Sequence, residues 1–362
     1  MDNRLFPIWI ALGLVLLSTQ SSADTNLLEI KKVSVAVLVG ETGEAEDGII
    51  RARLDEKVSL FAVVEARIQG KTVFISQAPA LKLSGRRVPK KRLRRPEAMT
   101  GLDLKLRWAK VQPVGESYSN TEGGFHWDKI QYCEKTLGPW GDDWSRLADG
   151  HPIPGSGYAD VNDGAGTMAF KISVQHNDKV FNSPGSETRY RGGIADHVTR
   201  VAFRRSDDFL GYLSELFNTP YIWGSAGVPP KVHQAERLIG SDCADFIVYG
   251  ARRAGKKIRY KASYHIPESA RGIARAVGVD AKGQFIDGNK RPLRIGPKSI
   301  QVGDVLLFPR HVGALTEDLP PLGILDIHDK MIHTYWAPPR VQPIEDTAYA
   351  ESKVQVLRYD FD

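Results

Sequence analysis

Gly240-Ser241-Asp242-Cys243-Ala244-Asp245-Phe246-Ile247 is the stretch on which the reading of this chain turns. A turn-forming Gly-Ser-Asp run leads into apolar residues at helical period. Asp242 is therefore expected to cap a helix that starts at Cys243 and runs to about Ala254-Gly255. The unpaired N–H groups of a first helical turn carry partial positive charge, which favours a thiolate over a thiol. Taken alone, a cysteine opening a buried helix is a small core residue. It becomes a candidate nucleophile only if the chain supplies an imidazole to take its proton and a third group to orient that imidazole.

Working outward, Ser206 is expected to cap a helix through Asp207 and Asp208, with Phe209, Leu213, Leu216 and Phe217 at helical spacing and Asn218-Thr219-Pro220 ending it. A third helix is expected over Pro267 to Val277. From Arg294 onward the pattern reads as strands: Asp304 to Phe308, His311 to Thr316, Met331 to Tyr335 and Val354 to Tyr359. Helices first and an antiparallel sheet after them predict an α+β domain. A hairpin joining the second and third of these strands would bring His311 and His333 together on one face.

Several segments resemble motifs of the NlpC family of cell-wall cysteine peptidases, and they occur in that family's order. Pro220-Tyr221-Ile222-Trp223-Gly224 resembles its Tyr-x-Tyr-Gly-Gly element, and Asp242-Cys243-Ala244-Asp245-Phe246 its Asp-Cys-Ser-Gly-Phe motif. Gly303-Asp304-Val305-Leu306-Leu307-Phe308, His311-Val312-Gly313 and Ile332-His333 resemble the strands that follow. The likeness covers about residues 207 to 340. The chain departs from the pattern in Ala244-Asp245, in the long Tyr221–Cys243 separation with Pro229-Pro230, and in the long His311–His333 separation with Leu319-Pro320-Pro321.

The resemblance implies a papain-like (NlpC-type) C-terminal domain, with helices packed on an antiparallel sheet. It implies Cys243 as nucleophile, His311 as its base and later the general acid, and His333 as the residue that orients His311. The sequence keeps His328 and Asp326 as competitors for that third position. Tyr221 would line the site and donate to an oxyanion beside the Cys243 backbone N–H, with Asp242 next to it as the helix cap. No metal or cofactor is implied. The implied substrate is the stem peptide of peptidoglycan, cut at an amide bond through a thioester on Cys243. Two readings from other classes stay open: a non-catalytic wall- or glycan-binding protein, and an acyl or amide transferase.

Residues 24–205 read as a β-rich N-terminal domain ahead of the 206–362 domain. Val33 to Val39 is a dense β-branched run, and Val58 to Ser76 holds two such runs around Gln69-Gly70-Lys71. Leu102, Leu104, Leu106 and Trp108 alternate with polar residues, and a second hairpin is expected at His176-Asn177-Asp178. Arg86, Arg87, Lys90, Lys91, Arg92, Arg94 and Arg95 form one strong basic run, either a solvated loop or a contact for an anionic envelope polymer. No aromatic platform interleaves with it, which argues against nucleic acid. Trp127, Trp140 and Trp144 could stack on sugars or simply pack. Asp160 to Gly164 reads as a turn rather than a calcium loop.

The 362 residues carry a net charge of +6, a mild basic bias compatible with anionic partners. The first 23 residues read as a cleavable signal peptide. Arg4 precedes the apolar Leu5 to Leu17, and Ser21-Ser22-Ala23 supplies small residues before a cut after Ala23. That apolar run is short for a bilayer span, so a periplasmic or secreted protein without an integral membrane segment is expected. Cys133 and Cys243 are the two cysteines, and bridging them would disarm Cys243.

Overall fold

The computed structural model describes residues 28–99 and 101–361. The stretch read as a signal peptide lies outside the described residues. Glu29–Val39 runs antiparallel to Val58–Ile68 along nearly its full length. Residues of period two point to opposite faces of a strand, and here both faces are apolar. Val33, Val35, Leu60, Ala62 and Val64 meet Leu106, Trp108, Phe170, Ile172 and Val174 of a second sheet. Ala36, Leu38, Phe61 and Val63 cover Ala78 and Leu81 on the other side. The second sheet runs Tyr132–Thr136, Leu104–Pro113, Gly166–His176, Arg200–Arg204, Ile49–Arg53 in space. The two sheets form a sandwich. Gln69 and Gly70 both take positive φ (50° and 74°), the geometry a two-residue hairpin requires.

Two α-helices follow among the described residues: α1 (Phe209–Ser214) and α2 (Cys243–Arg253). They pack so closely that a Cβ on Gly250 would sit 2.5 Å from Leu213 Cδ2. Beyond them lies a six-stranded sheet in the order Arg271–Ala276, Val354–Arg358, Val305–Phe308, His311–Glu317, Lys330–His333, Arg340–Pro343. Every pairing in it is antiparallel. One face, with Val305, Val312, Ala314, Ile332 and Leu357, shares a core with Phe246 and Ile247 of α2. The other face buries Leu306, Phe308, Leu315 and Met331 against Phe285, Leu325 and Ile344.

The expected α+β, papain-like architecture is overturned. The chain is mostly β, built from many sheets, and its α-helices span only six and eleven residues. Outside α2, strands and loops cover the C-terminal sheet where helices had been expected. Arg271–Ala276, expected inside a third helix, is instead a strand paired with Val354–Arg358, preceded by a 3-10 turn over Ser263–Glu268. Pro267 suits a helix start, but the edge of a sheet offers Arg271–Ala276 backbone hydrogen bonds that outweigh the helix preference of an Ala-Arg segment. α1 is capped by Asp208 accepting from the Gly211 N–H (2.7 Å), not by Ser206. α2 begins at Cys243 as expected, with Asp242 accepting from the Asp245 N–H (2.9 Å).

The sandwich and the C-terminal part share buried contacts. Ala165 and Ala202 of the N-terminal region belong to the core that holds α2. Glu215, fully buried after α1, bonds Arg253 through both carboxylate oxygens (2.9 and 3.0 Å) and also accepts from the Tyr249 hydroxyl. Arg51, from the sandwich, lies 3.5 Å from the same carboxylate. A buried carboxylate is tolerated because it is paired and hydrogen-bonded.

Candidate active site

Cys243 stands on the first turn of α2 and is only 4% exposed. The Val312 backbone N–H lies against its sulfur, so the thiol sits directly beside the residue that follows His311. Burial pushes the thiol well above its ordinary range, the Asp242 carboxylate adds to this, and the Val312 N–H only partly offsets it. The expected thiolate stabilisation by the helix start is therefore outweighed. Removing the charge from water and placing a carboxylate beside it counts for more than the partial charge of a short helix.

His311 opens its strand and is fully buried. Its Nε2 is 2.9 Å from His333 Nδ1, on the neighbouring antiparallel strand. His311 Nδ1 has no hydrogen-bond partner, whereas the Gln342 side chain lies against the His333 ring. The contact admits two tautomer arrangements, and the one a base requires has His311 donating from Nε2 to His333 Nδ1, which keeps an open acceptor at His311 Nδ1. Burial, and then the neighbouring imidazole, push His311 down to about 2. Burial and Arg340 push His333 down to about 4. Both rings are neutral at rest. The thiol is not hydrogen-bonded to His311 in this conformation.

The two competitors for the third position lie elsewhere. His328 is half exposed and pairs with Glu345 (3.2 Å), while Asp326 accepts from the His328 N–H (2.8 Å) and bridges to Gln284. Tyr221 is fully buried on a strand, Tyr221–Trp223, that runs parallel to Ser117–Ser119 of the N-terminal region and bridges to Ser241. Its hydroxyl has no hydrogen-bond partner, and burial followed by the Cys243 charge raises its pKa. It is an uncommitted donor near the sulfur. Asp242 caps α2; burial and then the Asp245 charge hold its carboxyl well above the usual range.

Asp245 replaces the glycine of the family motif, and the structure shows what it does. Its Oδ2 accepts from the Ser225 hydroxyl (2.6 Å) and lies 3.4 Å from His233 Nε2. His233 Nδ1 accepts from the Ala235 N–H (3.2 Å), and its ring stacks on Tyr260 at 3.7 Å. A pocket of about 330 Å³ opens here, between Ser225 to Val228 and Tyr260 to Ala262, with Asp242 and Asp245 in its wall.

Four aromatic residues complete the surroundings, and motif reasoning gave none of them a role. Tyr335 and Tyr349 lie 5.0 and 4.7 Å from His311, ring centre to ring centre. Trp336 lies 5.1 Å from Tyr221 and, nearly parallel, 6.0 Å from Trp223. Their sequence signals were Trp223 within the Tyr221 segment and the Tyr335-Trp336 pair shortly after His333. The tryptophans first considered for stacking are otherwise engaged: Trp144 is buried, Trp140 lies under Arg107, and Trp127 packs on Phe125.

Cys133 and Cys243 are both free, so no bridge disarms Cys243. The basic run is ordered rather than loose: Arg86–Arg87 forms a short strand, and Arg87 pairs with Glu44 (2.5 Å). Arg94 and Arg95 donate to backbone carbonyls, and all seven basic residues of the run are exposed. Among the described residues no helix is long and apolar enough to cross a membrane. No protein-family model matches the chain, and no curated protein matches it.

Proposed function

We propose that the chain is an exported cysteine hydrolase that cuts amide bonds in peptidoglycan stem peptides, as the NlpC-like motifs imply. The observation that carries the reading is the buried His311–His333 pair: His311 Nδ1 has no partner, and the next residue, Val312, has its backbone N–H against Cys243. The substrate amide carbonyl enters beside the start of α2. Because the resting pair is neutral, the thiol proton passes to His311 Nδ1 as sulfur attacks rather than beforehand. The tetrahedral oxyanion is met by the Cys243 backbone N–H and the Tyr221 hydroxyl. His311 then returns the proton to the leaving amine, the thioester remains on Cys243, and water attacks it with His311 again as base. His333 fixes the tautomer throughout.

The test is incubation of purified sacculi with wild type and Cys243→Ala, with products identified by mass. Fragments released by wild type and absent with the variant are expected. Release by both would end this reading. A second reading, a wall-binding protein built on the same site, is favoured by the burial of Cys243 and by the lack of a thiol–imidazole hydrogen bond. It predicts intact sacculi that retain bound protein, and a Cys243 no more reactive to iodoacetamide than a model thiol.

A further inference from the structure

We infer that Trp223 and Trp336 form a ledge that holds a hexopyranose ring of the glycan strand, so that the site takes stem peptides still attached to sugar. This rests on the proposed hydrolase reading and extends it. Trp336 is 50% exposed and Trp223 42%, and their rings lie 23° from parallel. Large aromatic side chains left partly in water next to the buried Tyr221 mark a binding surface. Trp336 also sits at φ 52°, a left-handed conformation that a bulky residue adopts only at a cost the surrounding structure must outweigh.

The remainder of the ledge is polar in the way a sugar requires. In the parallel ladder Ser119 stands level with Trp223, and Ser117 with Tyr221. Thr121, exposed, lies over Gly224, where a Cβ would come within 2.6 Å of its methyl group. A pyranose presents C–H groups on its faces and hydroxyls around its rim. Indoles beside a segment that carries Ser117, Ser119 and Thr121, the last two with their hydroxyls 3.5 Å apart, offer both kinds of group. The ledge begins at Tyr221 beside Cys243 and ends on the N-terminal region, which gives that region a share in the site.

The experiment titrates a soluble N-acetylglucosamine tetramer into Cys243→Ala protein by calorimetry, alone and combined with Trp336→Ala, Trp223→Ala or Trp336→Tyr. Binding that weakens about tenfold or more in either alanine variant and is largely kept in Trp336→Tyr is expected. In parallel, kcat/KM is compared for a disaccharide-linked stem peptide and the same peptide free. The ratio should fall toward one in the alanine variants. Tetramer binding that is absent, or indifferent to both tryptophans, overturns the ledge. So does a Trp336→Ala variant that loses linked and free peptide equally. Tryptophan-dependent binding with uncut sacculi keeps the ledge and removes the hydrolase reading, so the two fail separately.

Discussion

Two buried histidines within this C-terminal part are treated in opposite ways. Every polar atom of His233 is used: Nδ1 accepts from a backbone N–H, Nε2 faces Asp245, and the ring stacks on Tyr260. His311 has one nitrogen on His333 and the other on nothing, with no carboxylate to stabilise a charge. Buried polar groups are normally satisfied, so the unsatisfied one needs a reason. A base must keep an empty acceptor, whereas a packing histidine need not. Burial alone does not separate the two; hydrogen-bond accounting does.

The comparison is broken most severely by removing the reacting groups. Cys243→Ala and His311→Ala should each lower the rate of fragment release by at least about a thousandfold. Thermal unfolding should show both variants still folded. Next comes His333, which acts through His311: His333→Ala should lower kcat about 10- to 100-fold with KM little changed. A loss confined to KM would place His333 in binding instead.

The opposite pattern is expected at His233. His233→Ala leaves the Asp245 carboxylate with the Ser225 hydroxyl as its remaining side-chain partner, and should cost about 2–4 kcal/mol in urea unfolding. Activity below the unfolding transition should fall far less than in the His311 variant. If His233→Ala were as inactive as His311→Ala while still folded, the division between the two histidines would be wrong.

The last test is a pH dependence, read after the opposing groups have offset part of it. His311 and His333 are held neutral, at about 2 and about 4, whereas an unfolded histidine titrates near ~6.5. Between these values the unfolded chain binds more protons, so the pair's stability is whole above pH ~6.5 and is lost as pH falls, toward about 4 for His333 and on toward about 2 for His311. Each histidine contributes a slope of about 1.4 kcal/mol per pH unit in that window. Asp329, raised by burial to about 7, acts in the opposite sense over this range, and Asp242, raised by burial and Asp245, also acts in the opposite sense. The pair is therefore read as a difference: wild type should lose stability on acidification more steeply than a His311→Gln, His333→Gln double variant.

Much of the local structure was legible in the chain. Asp242 followed by Cys243 and apolar residues at helical spacing placed the start of α2, because a cap acts through neighbours three residues away. The Gln69-Gly70 turn and the strands around His311 and His333 followed from equally local patterns. The architecture did not. Arg271–Ala276 looked helical until a partner strand was available, and the α+β expectation failed with it.

The site divides along the same line. The sequence by itself determined which residue types stand in which order, a cysteine at a helix start and two histidines on strands that a hairpin would join. Tertiary structure alone decided that Cys243 and His311 are buried and neutral, since desolvation depends on what covers a group and not on its neighbours in the chain. It also brought Ser117–Ser119, about a hundred residues upstream, alongside Tyr221–Trp223, and Trp336 over both Tyr221 and Trp223. Contacts between residues so far apart in sequence are set by the packing of whole sheets, and no local pattern encodes them.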